Sequence, residues 1–340
     1  MRKVLVTGGL GFIGSHTVVE LVKKGYEPII VDNLSNSKIG ILERLNEICG
    51  SKINLSQFNL LDLNKVKELF EAHKFDSIIH FAASKAVGES VENPLLYYQN
   101  NLITLTNLLE VSKEYGLTKF IFSSSCTVYG QPDRLPVTEE TPKKPAESPY
   151  GNTKQVGEEI IEDFCNSFPP FRAISLRYFN PIGAHESGRI GELPLGAPNN
   201  LVPYITQTAI GIRNTLKVFG GDYDTPDGTC IRDYIHVVDL ANAHIKAMEF
   251  LHTSDRSYDV FNIGTGEGSS VLQVIKSFEK VSDLKLNYEI TDRRPGDVEQ
   301  IFAQTDKVKE VLGWESEHDL DQMMSSAWKW QQSLKEDPVN

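Results

Sequence analysis

The sequence predicts a doubly wound α/β fold, in which helices cover both faces of a parallel β-sheet. In the first half of the chain, short β-branched and apolar runs alternate with segments whose apolar residues recur every three to four positions. This alternation is typical of βαβ units, and sheets built from such units are covered by helices on both faces. A glycine-rich turn that follows the first run and opens a helix supports the same fold.

The individual elements of the first half follow from this alternation. Strands are predicted at Lys3–Thr7, Pro28–Val31, Ser77–Ala82, Lys119–Ser123 and Arg172–Tyr178. Helices are predicted at Ser15–Lys24, Lys65–Ala72 and Tyr97–Tyr115, with another that begins near Tyr150. We expect this larger domain to span residues 1–180.

The second half of the chain predicts a smaller α/β lobe over residues 181–340. Residues 181–200 are rich in Gly, Pro and Asn and indicate an ordered loop, and loops of this length in compact domains are usually functional. The later predicted elements are the helices Leu201–Arg213, Val271–Val281 and Met323–Trp330 and the strands Leu216–Phe219, Tyr258–Ile263 and Leu286–Ile290. The pattern also allows the chain to cross between the two lobes more than once.

Composition and charge exclude several classes of function. The 340-residue chain has 34 basic and 46 acidic residues, a net charge of −12, which argues against a nucleic-acid-binding surface. Its cysteines form no CxxC pair and its 8 histidines show no metal-ligand spacing, so neither a metal site nor a disulfide framework is indicated. The sequence shows no signal peptide and no apolar run near the ~20 residues that span a bilayer. We therefore expect a cytoplasmic protein without a membrane partner.

The turn after the first strand predicts a dinucleotide site. Gly8, Gly11 and Gly14 form a GxxGxxG pattern, which allows a tight turn, close backbone approach to a pyrophosphate and close packing of helix on strand. Asp32, 18 residues after Gly14, is placed to accept hydrogen bonds from ribose hydroxyls and to repel a 2′-phosphate. NAD is therefore predicted over NADP. A glycine-rich turn without function and an Asp-Asn turn at a strand end are the alternatives.

A tyrosine, a lysine and a serine form a candidate catalytic group. Tyr150 and Lys154 stand at i and i+4, so they share one face of the predicted helix. The ordinary pKa of tyrosine is ~10 and a nearby cation favours the phenolate, so the pair predicts a general base. Ser125 follows a strand, at the edge where open α/β sheets hold ligands. Each motif alone is typical of a helix surface or a loop, but together they indicate a catalytic site.

Several longer motifs match one protein family. They are Val4–Ser15, His80–Ala82, Lys85–Ser90, Ser123–Gly130, Tyr150–Lys154, Arg177–Gly191, Asn199–Leu201, Arg232–His236 and Arg293–Asp297. On these stretches the sequence resembles the extended short-chain dehydrogenase/reductase family, and within it the UDP-hexose 4-epimerases, over essentially the whole chain. The glycine motif and Tyr-x-x-x-Lys mark only the superfamily, whereas Lys85–Ser90 and Gly183–Gly188 are more specific.

The resemblance implies a Rossmann fold and an NAD-dependent interconversion of UDP-galactose and UDP-glucose. Tyr150 would remove the proton of the sugar 4-hydroxyl while C4 passes a hydride to NAD+, and the 4-keto sugar would turn about its diphosphate before the hydride returns. Lys154 would bind the nicotinamide ribose and lower the pKa of Tyr150. A homodimer is also implied, with the apolar faces of Leu102–Val111 and Val156–Phe164 at its interface. The alternative is that these two faces cover the sheet.

The resemblance also assigns roles to further residues by their positions in the matching motifs. On the cofactor side they are Gly8, Gly11, Phe12, Ile13, Gly14, Asp32, Asn33, Asp62, Leu63, Phe81, Ala82, Lys85, Asn100, Ser123, Tyr150, Lys154 and Tyr178. On the substrate side they are Ser125, Tyr150, Asn180, Asn200, Leu201, Phe219, Arg232, Arg294 and Asp297. A guanidinium suits phosphate because its planar fork pairs with the oxygens, although surface ion pairs are the ordinary alternative for these arginines.

Three other functions compete with epimerisation. A nucleotide-sugar 4,6-dehydratase needs an acid–base pair beside the catalytic hydroxyl, which Cys126, Thr127 and Val128 do not supply. A decarboxylase needs a uronic acid, whereas the matching motifs favour a neutral sugar. A non-catalytic NAD-binding scaffold typically loses the tyrosine or the lysine, and Tyr150 and Lys154 are both present.

Ile301 is the position at which the sequence leaves the substrate range open. Family members restricted to glucose and galactose commonly carry tyrosine there, and members that also accept N-acetylhexosamines carry a smaller residue. Isoleucine is intermediate in bulk, so the sequence does not decide whether an acetamido group is accepted. UDP-galactose is expected as the preferred substrate.

Overall fold

A seven-stranded parallel sheet forms the centre of the computed structural model, which describes residues 1–294 and 297–340. The strands of the described chain are β1 (Lys3–Thr7), β2 (Glu27–Asp32), β3 (Asn54–Gln57), β4 (Ser77–His80), β5 (Lys119–Ser123), β6 (Arg172–Tyr178), β7 (Asn180–Ile182), β8 (Leu216–Phe219), β9 (Ile231–His236), β10 (Tyr258–Ile263), β11 (Gly268–Ser270), β12 (Tyr288–Thr291) and β13 (Gln300–Ile301). The order in the main sheet is β10-β6-β5-β4-β1-β2-β3. The chain therefore builds outwards from β1 first on one side and then on the other, which is the doubly wound topology.

Helices cover both faces of this sheet. The helices of the described chain are α1 (Phe12–Lys23), α2 (Gly40–Cys49), α3 (Leu63–Ala72), α4 (Val87–Glu92), α5 (Pro94–Tyr98), α6 (Thr104–Glu114), α7 (Pro149–Ser167), α8 (Leu201–Ala209), α9 (Val237–Phe250), α10 (Val271–Ser282), α11 (Asp306–Leu312) and α12 (Leu320–Glu336). Successive strand residues point to opposite faces, so Val4 and Val6 join the core beneath α1 and α9, whereas Leu5 joins the core beneath α3, α6 and α7. The predicted doubly wound sheet is confirmed.

The apolar faces that were candidates for a dimer interface lie largely against the sheet. Leu105, Leu109 and Ile161 are buried in the core beneath α3, α6 and α7, and Ile160 and Phe164 pack partly against the same core. A helix on a parallel sheet buries its apolar stripe in this way. For these residues, the structure therefore supports the alternative that the two faces cover the sheet.

The smaller lobe has its own strands and core. β7, β11 and β13 pair with β9, and β8 pairs with β12. Residues of α8, α10 and α12, among them Ile205, Phe278 and Met324, form its buried core. His236 and Trp330 are also buried.

One strand lies in a different sheet from the one predicted. Tyr258–Ile263, expected in the smaller lobe, is the edge strand β10 of the main sheet and pairs with β6. Periodicity identifies a strand but not its partner, which here is set by long-range burial of Phe261 and Ile263. The chain thus returns to the main sheet after residue 180, and the division into 1–180 and 181–340 stays a prediction.

Candidate active site

The glycine turn after β1 brings two backbone segments very close together. Gly8 has a φ of +69°, and a Cβ built on it would lie 2.9 Å from the backbone nitrogen of Ala82, just after β4. A Cβ on Gly14, in the first turn of α1, would lie 2.3 Å from the carbonyl oxygen of Gly8. Gly11 is the N-cap of α1, and Phe12 and Ile13 are its first residues. The turn therefore presents backbone at a helix N-terminus, where a pyrophosphate binds favourably.

Asp32, at the end of β2, has the geometry expected of a ribose acceptor. Its buried carboxylate accepts hydrogen bonds from the backbone of Leu10 at 3.0 Å and of Leu34 at 2.9 Å, and from the Ser37 hydroxyl at 2.8 Å. A carboxylate has about four lone-pair positions, so these partners leave room for a ribose hydroxyl. The next residue, Asn33, shapes the same turn by accepting from the backbone of Ser35 at 3.0 Å. The turn and ribose-binding interpretations are thus compatible.

The other cofactor-side residues lie on loops that follow neighbouring strands. Asp62 caps α3, of which Leu63 is the first residue, by accepting from the Lys65 backbone at 3.2 Å. Phe81 follows β4 directly and packs its ring 4.6 Å from that of His244. Lys85, in the same loop, lies 3.5 Å from the Glu192 carboxylate.

A π-helical turn, Gln99–Ile103, interrupts the helix that was predicted over Tyr97–Tyr115. Such turns are frequent at functional sites. It carries the predicted Asn100, which donates to the Ser84 hydroxyl at 3.2 Å. The neighbouring Asn101, which sequence reasoning missed, bonds to both backbone groups of Ser84 and to Thr153 of α7. Asn101 therefore ties the loop after β4 to the helix that carries the candidate base.

The candidate catalytic residues lie together where β5 meets α7. Tyr150 and Ser125 are both buried, and Ser125 is close enough to Tyr150 to lower the pKa of its phenol. Lys154 is buried one turn further along α7 and donates from Nζ to the carbonyl oxygen of Ser123 at 2.8 Å. Tyr178, at the end of β6, is close enough to Tyr150 to raise the pKa of its phenol. The structure thus unites residues that are far apart in sequence.

The predicted lowering of the Tyr150 pKa by Lys154 stays a prediction, and burial is the largest influence on that pKa in this structure. Burial raises the pKa of Tyr150 well above its usual range, Tyr178 raises it further, and hydrogen bonding by Ser125 lowers it only in part. Lys154 lies 5.8 Å from the centre of the Tyr150 ring, and its own pKa is lowered by burial to about 8. Burial acts on both pKa values in this way because desolvation disfavours the charged form of each group.

The predicted substrate residues of the smaller lobe lie at the starts of its elements. Asn180 is the first residue of β7, and Asn200 is the N-cap of α8, of which Leu201 is the first residue. Asn200 donates to the Glu192 carboxylate at 2.6 Å. The same oxygen of Glu192 faces Lys85, so Glu192, a residue that sequence reasoning missed, bridges the cofactor and substrate sides.

A charged cluster in the smaller lobe unites residues from two predicted motifs with Phe219, a predicted substrate residue. Arg294 lies 2.7 Å from the Asp297 carboxylate, and Arg232 lies 3.9 Å from the same oxygen. The Arg294 guanidinium lies 5.7 Å from the centre of the half-exposed Phe219 ring. Two guanidiniums beside an aromatic ring suit a nucleoside diphosphate. Pro295 and Gly296, which complete the Arg293–Asp297 motif, lie outside the described residues.

Ile301 lies between this cluster and the catalytic loop. It pairs with Arg232 across β13 and β9 and is buried in a core with Val128 and Phe179, against which Cys126 also packs. Cys126 is the residue after Ser125, so Ile301 belongs to the wall beside the catalytic group. Its predicted role in specificity remains untested by the structure alone.

Within residues 1–294 and 297–340, no group of histidine, cysteine and acidic side chains is arranged to hold a metal ion. No helix in the described part of the chain is long and apolar enough to cross a membrane.

Comparison with known proteins identifies the family. A family model described as GDP-mannose 4,6 dehydratase matches residues 5–327. UDP-glucose 4-epimerases of Bacillus subtilis (strain 168) and Drosophila melanogaster are 50% and 49% identical over 330 and 335 residues, covering 97% and 96% of this chain and the same shares of theirs. The crystal structure of UDP-glucose 4-epimerase from Bifidobacterium longum in complex with NAD+ and UDP matches with a TM-score of 0.94 at 46% identity, covering 98% of each chain. The chain therefore belongs to the UDP-glucose 4-epimerase family of the extended short-chain dehydrogenases/reductases.

Proposed function

We propose that this chain interconverts UDP-galactose and UDP-glucose by NAD-dependent epimerisation at C4 of the sugar, with Tyr150 as the base. The observation that carries the proposal is the meeting of Tyr150, Ser125 and Lys154 at the carboxyl end of the parallel sheet, where open α/β folds bind ligands. Curated relatives and solved structures of the same fold are named UDP-glucose 4-epimerases.

The residues around the glycine turn fit NAD. The close approach of Gly8 to Ala82 leaves bare backbone for the pyrophosphate, and Asp32 keeps acceptor capacity for ribose hydroxyls. NAD+ supplies the hydride acceptor and later the hydride donor, together with a positive charge beside the base. The protein's own part is to orient the sugar C4 toward that site and to handle the proton.

The proton of the sugar 4-hydroxyl passes to Tyr150, with Ser125 placed to hold the same oxygen. Because burial raises the pKa of Tyr150, the deprotonated phenol needs positive charge nearby, and Lys154 provides it from the next turn of α7. The same high pKa favours return of the proton when the hydride returns to the other face of C4. Proton and hydride are both given back, so the sugar is inverted at C4 without net oxidation.

The arginine cluster suits the diphosphate. Arg232 and Arg294 already share the carboxylate of Asp297. When a diphosphate binds, the two guanidiniums therefore exchange one anionic partner for another. An anchor at the diphosphate fixes the nucleotide while leaving the sugar free to turn about its phosphate bonds. This freedom is what presentation of both faces of C4 requires.

Incubation of the purified chain with UDP-galactose, followed by a coupled assay for UDP-glucose, tests the proposal. We expect conversion in both directions and nicotinamide absorption in the supernatant of denatured protein. A preparation that stays inactive after addition of NAD would rule the function out. Formation of a 4-keto-6-deoxy sugar would instead favour the dehydratase named by the family model.

We also propose that the chain forms a homodimer across an apolar surface on α4, α5 and the adjoining π-helical turn. The exposed apolar residues of this surface are Val87, Val91, Leu95, Leu96 and Ile103. Leu95 is 70% exposed and Val91 is 61% exposed, and contiguous apolar surface of this kind usually marks an interface. Light scattering should give twice the chain mass for the wild type and one chain mass for Leu95→Asp. A wild-type protein of one chain mass at micromolar concentration would refute the dimer.

A cytoplasmic location is part of the same proposal. Each of the cysteines, Cys49, Cys126, Cys165 and Cys230, is free in the described chain, and burial raises the pKa of the Cys126 and Cys165 thiols to about 12. Free thiols without disulfides fit a reducing compartment, and a raised pKa makes a thiol less reactive. Fractionation of cells that express the full chain tests this location.

A further inference from the structure

One face of α7 is joined to the end of β5 by a series of polar contacts. Tyr150, Lys154 and Glu158 follow each other at four-residue intervals, so they line one face of the helix. They meet the three consecutive serines 123–125: Lys154 donates to the carbonyl of Ser123 at 2.8 Å, and Glu158 accepts from the Ser124 hydroxyl at 2.6 Å. The third serine, Ser125, is close enough to Tyr150 to lower the pKa of its phenol. Glu158 thus binds the residue just before the catalytic serine.

Glu158 is held in place by charges from two other elements. Its carboxylate is buried and accepts hydrogen bonds from the guanidinium of Arg177, on β6, at 2.9 and 2.7 Å. Lys143, from the loop before α7, lies 2.9 Å from the same carboxylate. Burial raises the pKa of Glu158, but Arg177 and Lys143 more than offset it, so the pKa lies below its ordinary value. A buried ion pair of this kind stabilises a fold little compared with apolar packing, which suggests another use for the charge.

We propose that Glu158 is a positioning residue, which fixes Ser124 against α7 and supplies a negative charge one helical turn from Lys154. This inference rests on the proposed function. Through Ser124 the carboxylate fixes the geometry of the next serine, and through its charge it keeps the ammonium of Lys154 beside the base. A purely structural ion pair with Arg177 is the competing explanation.

Besides Arg177 and Lys143, the titratable groups that face Lys154 and Glu158 are His80 and Tyr258. Burial lowers the pKa of Lys154 to about 8, and Glu158 acts in the opposite direction. His80, on β4, also faces the ammonium, and its pKa is lowered to about 3 by burial and by Lys154, so it is neutral. Tyr258, on β10, faces Glu158, and its pKa is raised by burial and then by that carboxylate, so it is also neutral. Removal of the charge of Glu158 therefore lowers the pKa of Lys154.

Two single variants separate the two actions of Glu158. Glu158→Gln keeps an acceptor for Ser124 but removes the charge, so the midpoint of Lys154 in a lysine ε-carbon NMR titration should fall and the alkaline loss of kcat should begin at lower pH. We expect kcat to fall by up to ~10²-fold, the cost of a small misplacement at a reacting centre, with KM nearly unchanged. Ser124→Ala keeps the charge, so kcat should fall while the Lys154 midpoint stays at its wild-type value.

A double variant guards against loss of folding. Glu158→Gln alone leaves Arg177 buried without its partner, whereas Glu158→Gln with Arg177→Met removes both charges and should restore the melting temperature. If kcat and the Lys154 midpoint return to wild-type values together with the fold, the pair is merely structural and the proposal fails. If both stay low in the refolded double variant, the proposal holds.

The matched control is Tyr258→Phe, which removes a partly buried hydrogen bond of 2.9 Å to Ser175 in the same part of the sheet. It should keep the wild-type kcat and Lys154 midpoint. An equal loss of kcat in this control would show a general effect of destabilisation and overturn the proposal. A wild-type chain without epimerase activity would refute the proposed function instead, and the NMR midpoints would still decide whether Glu158 acts on Lys154.

Discussion

The two ends of the proposed substrate path hold their polar groups in opposite ways. At the catalytic end, Tyr150, Lys154 and Ser125 are buried, and the Lys154 ammonium is fixed on a backbone carbonyl. At the nucleotide end, the Arg294 side chain is 56% exposed and its partner is the carboxylate of Asp297, a neighbour in sequence. The catalytic end is thus built from buried groups in fixed positions. The nucleotide end includes an ion pair whose guanidinium reaches water.

This difference corresponds to two tasks. Proton and hydride transfer need reacting groups in fixed positions, which buried hydrogen bonds provide. Binding and release of a diphosphate need charges that change partners readily, and an ion pair near the surface costs little to exchange. We therefore expect changes at the catalytic end to act on kcat and changes at the nucleotide end to act on KM.

The largest expected effect is that of Tyr150→Phe. This change removes the proton acceptor and leaves the shape of the site, so kcat should fall by ~10²–10⁴-fold while the affinity for UDP stays the same. Steady-state kinetics and calorimetric titration with UDP check the two halves of this prediction. A variant with a kcat within a few-fold of the wild-type value would show that Tyr150 is not the base. The buried catalytic end would then not determine kcat.

Mild acid should lower the free energy of unfolding, because neutral histidines are buried beneath the catalytic end. Burial lowers the pKa of His80 to about 3 and of His244, near Ser123, to about 4, while the unfolded chain keeps a value near 6.5. The unfolded state therefore binds more protons, and the free energy of unfolding should fall by about 1.4 kcal/mol per histidine for each pH unit below 6.5. The buried His16 and His236 act in the same direction.

Urea denaturation at pH 7 and pH 5 measures this loss. His244→Gln removes one titrating group, so its unfolding free energy should depend less steeply on pH than that of the wild type. An unfolding free energy that does not change between the two pH values would show that these histidines are not held neutral. The groups at the catalytic end would then be accessible to water and not buried in fixed positions.

At the nucleotide end, Arg232→Met should raise KM for UDP-galactose by roughly tenfold to a hundredfold. Hydrogen bonds to charged groups contribute about 1.5–3 kcal/mol, and 1.4 kcal/mol corresponds to a factor of ten. Arg294→Met is the matched variant, and its effect should be smaller because the Arg294 side chain is 56% exposed against 16% for Arg232. A fall in kcat with unchanged KM in either variant would contradict the division of tasks.

The parts of the site that follow from short-range patterns were predictable from the sequence. Gly8, Gly14 and Asp32 belong to one βαβ unit, and Tyr150 and Lys154 to one helix, so residue type and spacing suffice to identify them. The strands β1, β5 and β6 have the predicted bounds for the same reason, since each is a short segment rich in apolar residues.

The remaining features depend on contacts between distant parts of the chain. The pairing of β10 with β6 and the Glu158–Arg177 ion pair are set by packing, which a single sequence does not show. The raised pKa of Tyr150 is another feature that the sequence does not show. Spacing places Lys154 nearby but does not show the burial that raises this pKa. A glutamate four residues after the catalytic lysine was the one signal that could have drawn attention to Glu158.

The smallest expected effect is that of substitutions at Ile301, which lies between the two ends. They should change neither kcat nor the affinity for the nucleotide, but only the choice of sugar. Its side chain is buried in the core that adjoins the catalytic loop. An apolar wall separates substrates of slightly different size by only ~1–3 kcal/mol, so UDP-galactose should be preferred and UDP-N-acetylgalactosamine converted weakly. Ile301→Ser should raise the acetamido activity relative to the plain sugar, and Ile301→Tyr should abolish it, as measured by parallel assays on both substrates. The same ratio of the two activities in the wild type and both variants would place Ile301 outside the sugar site.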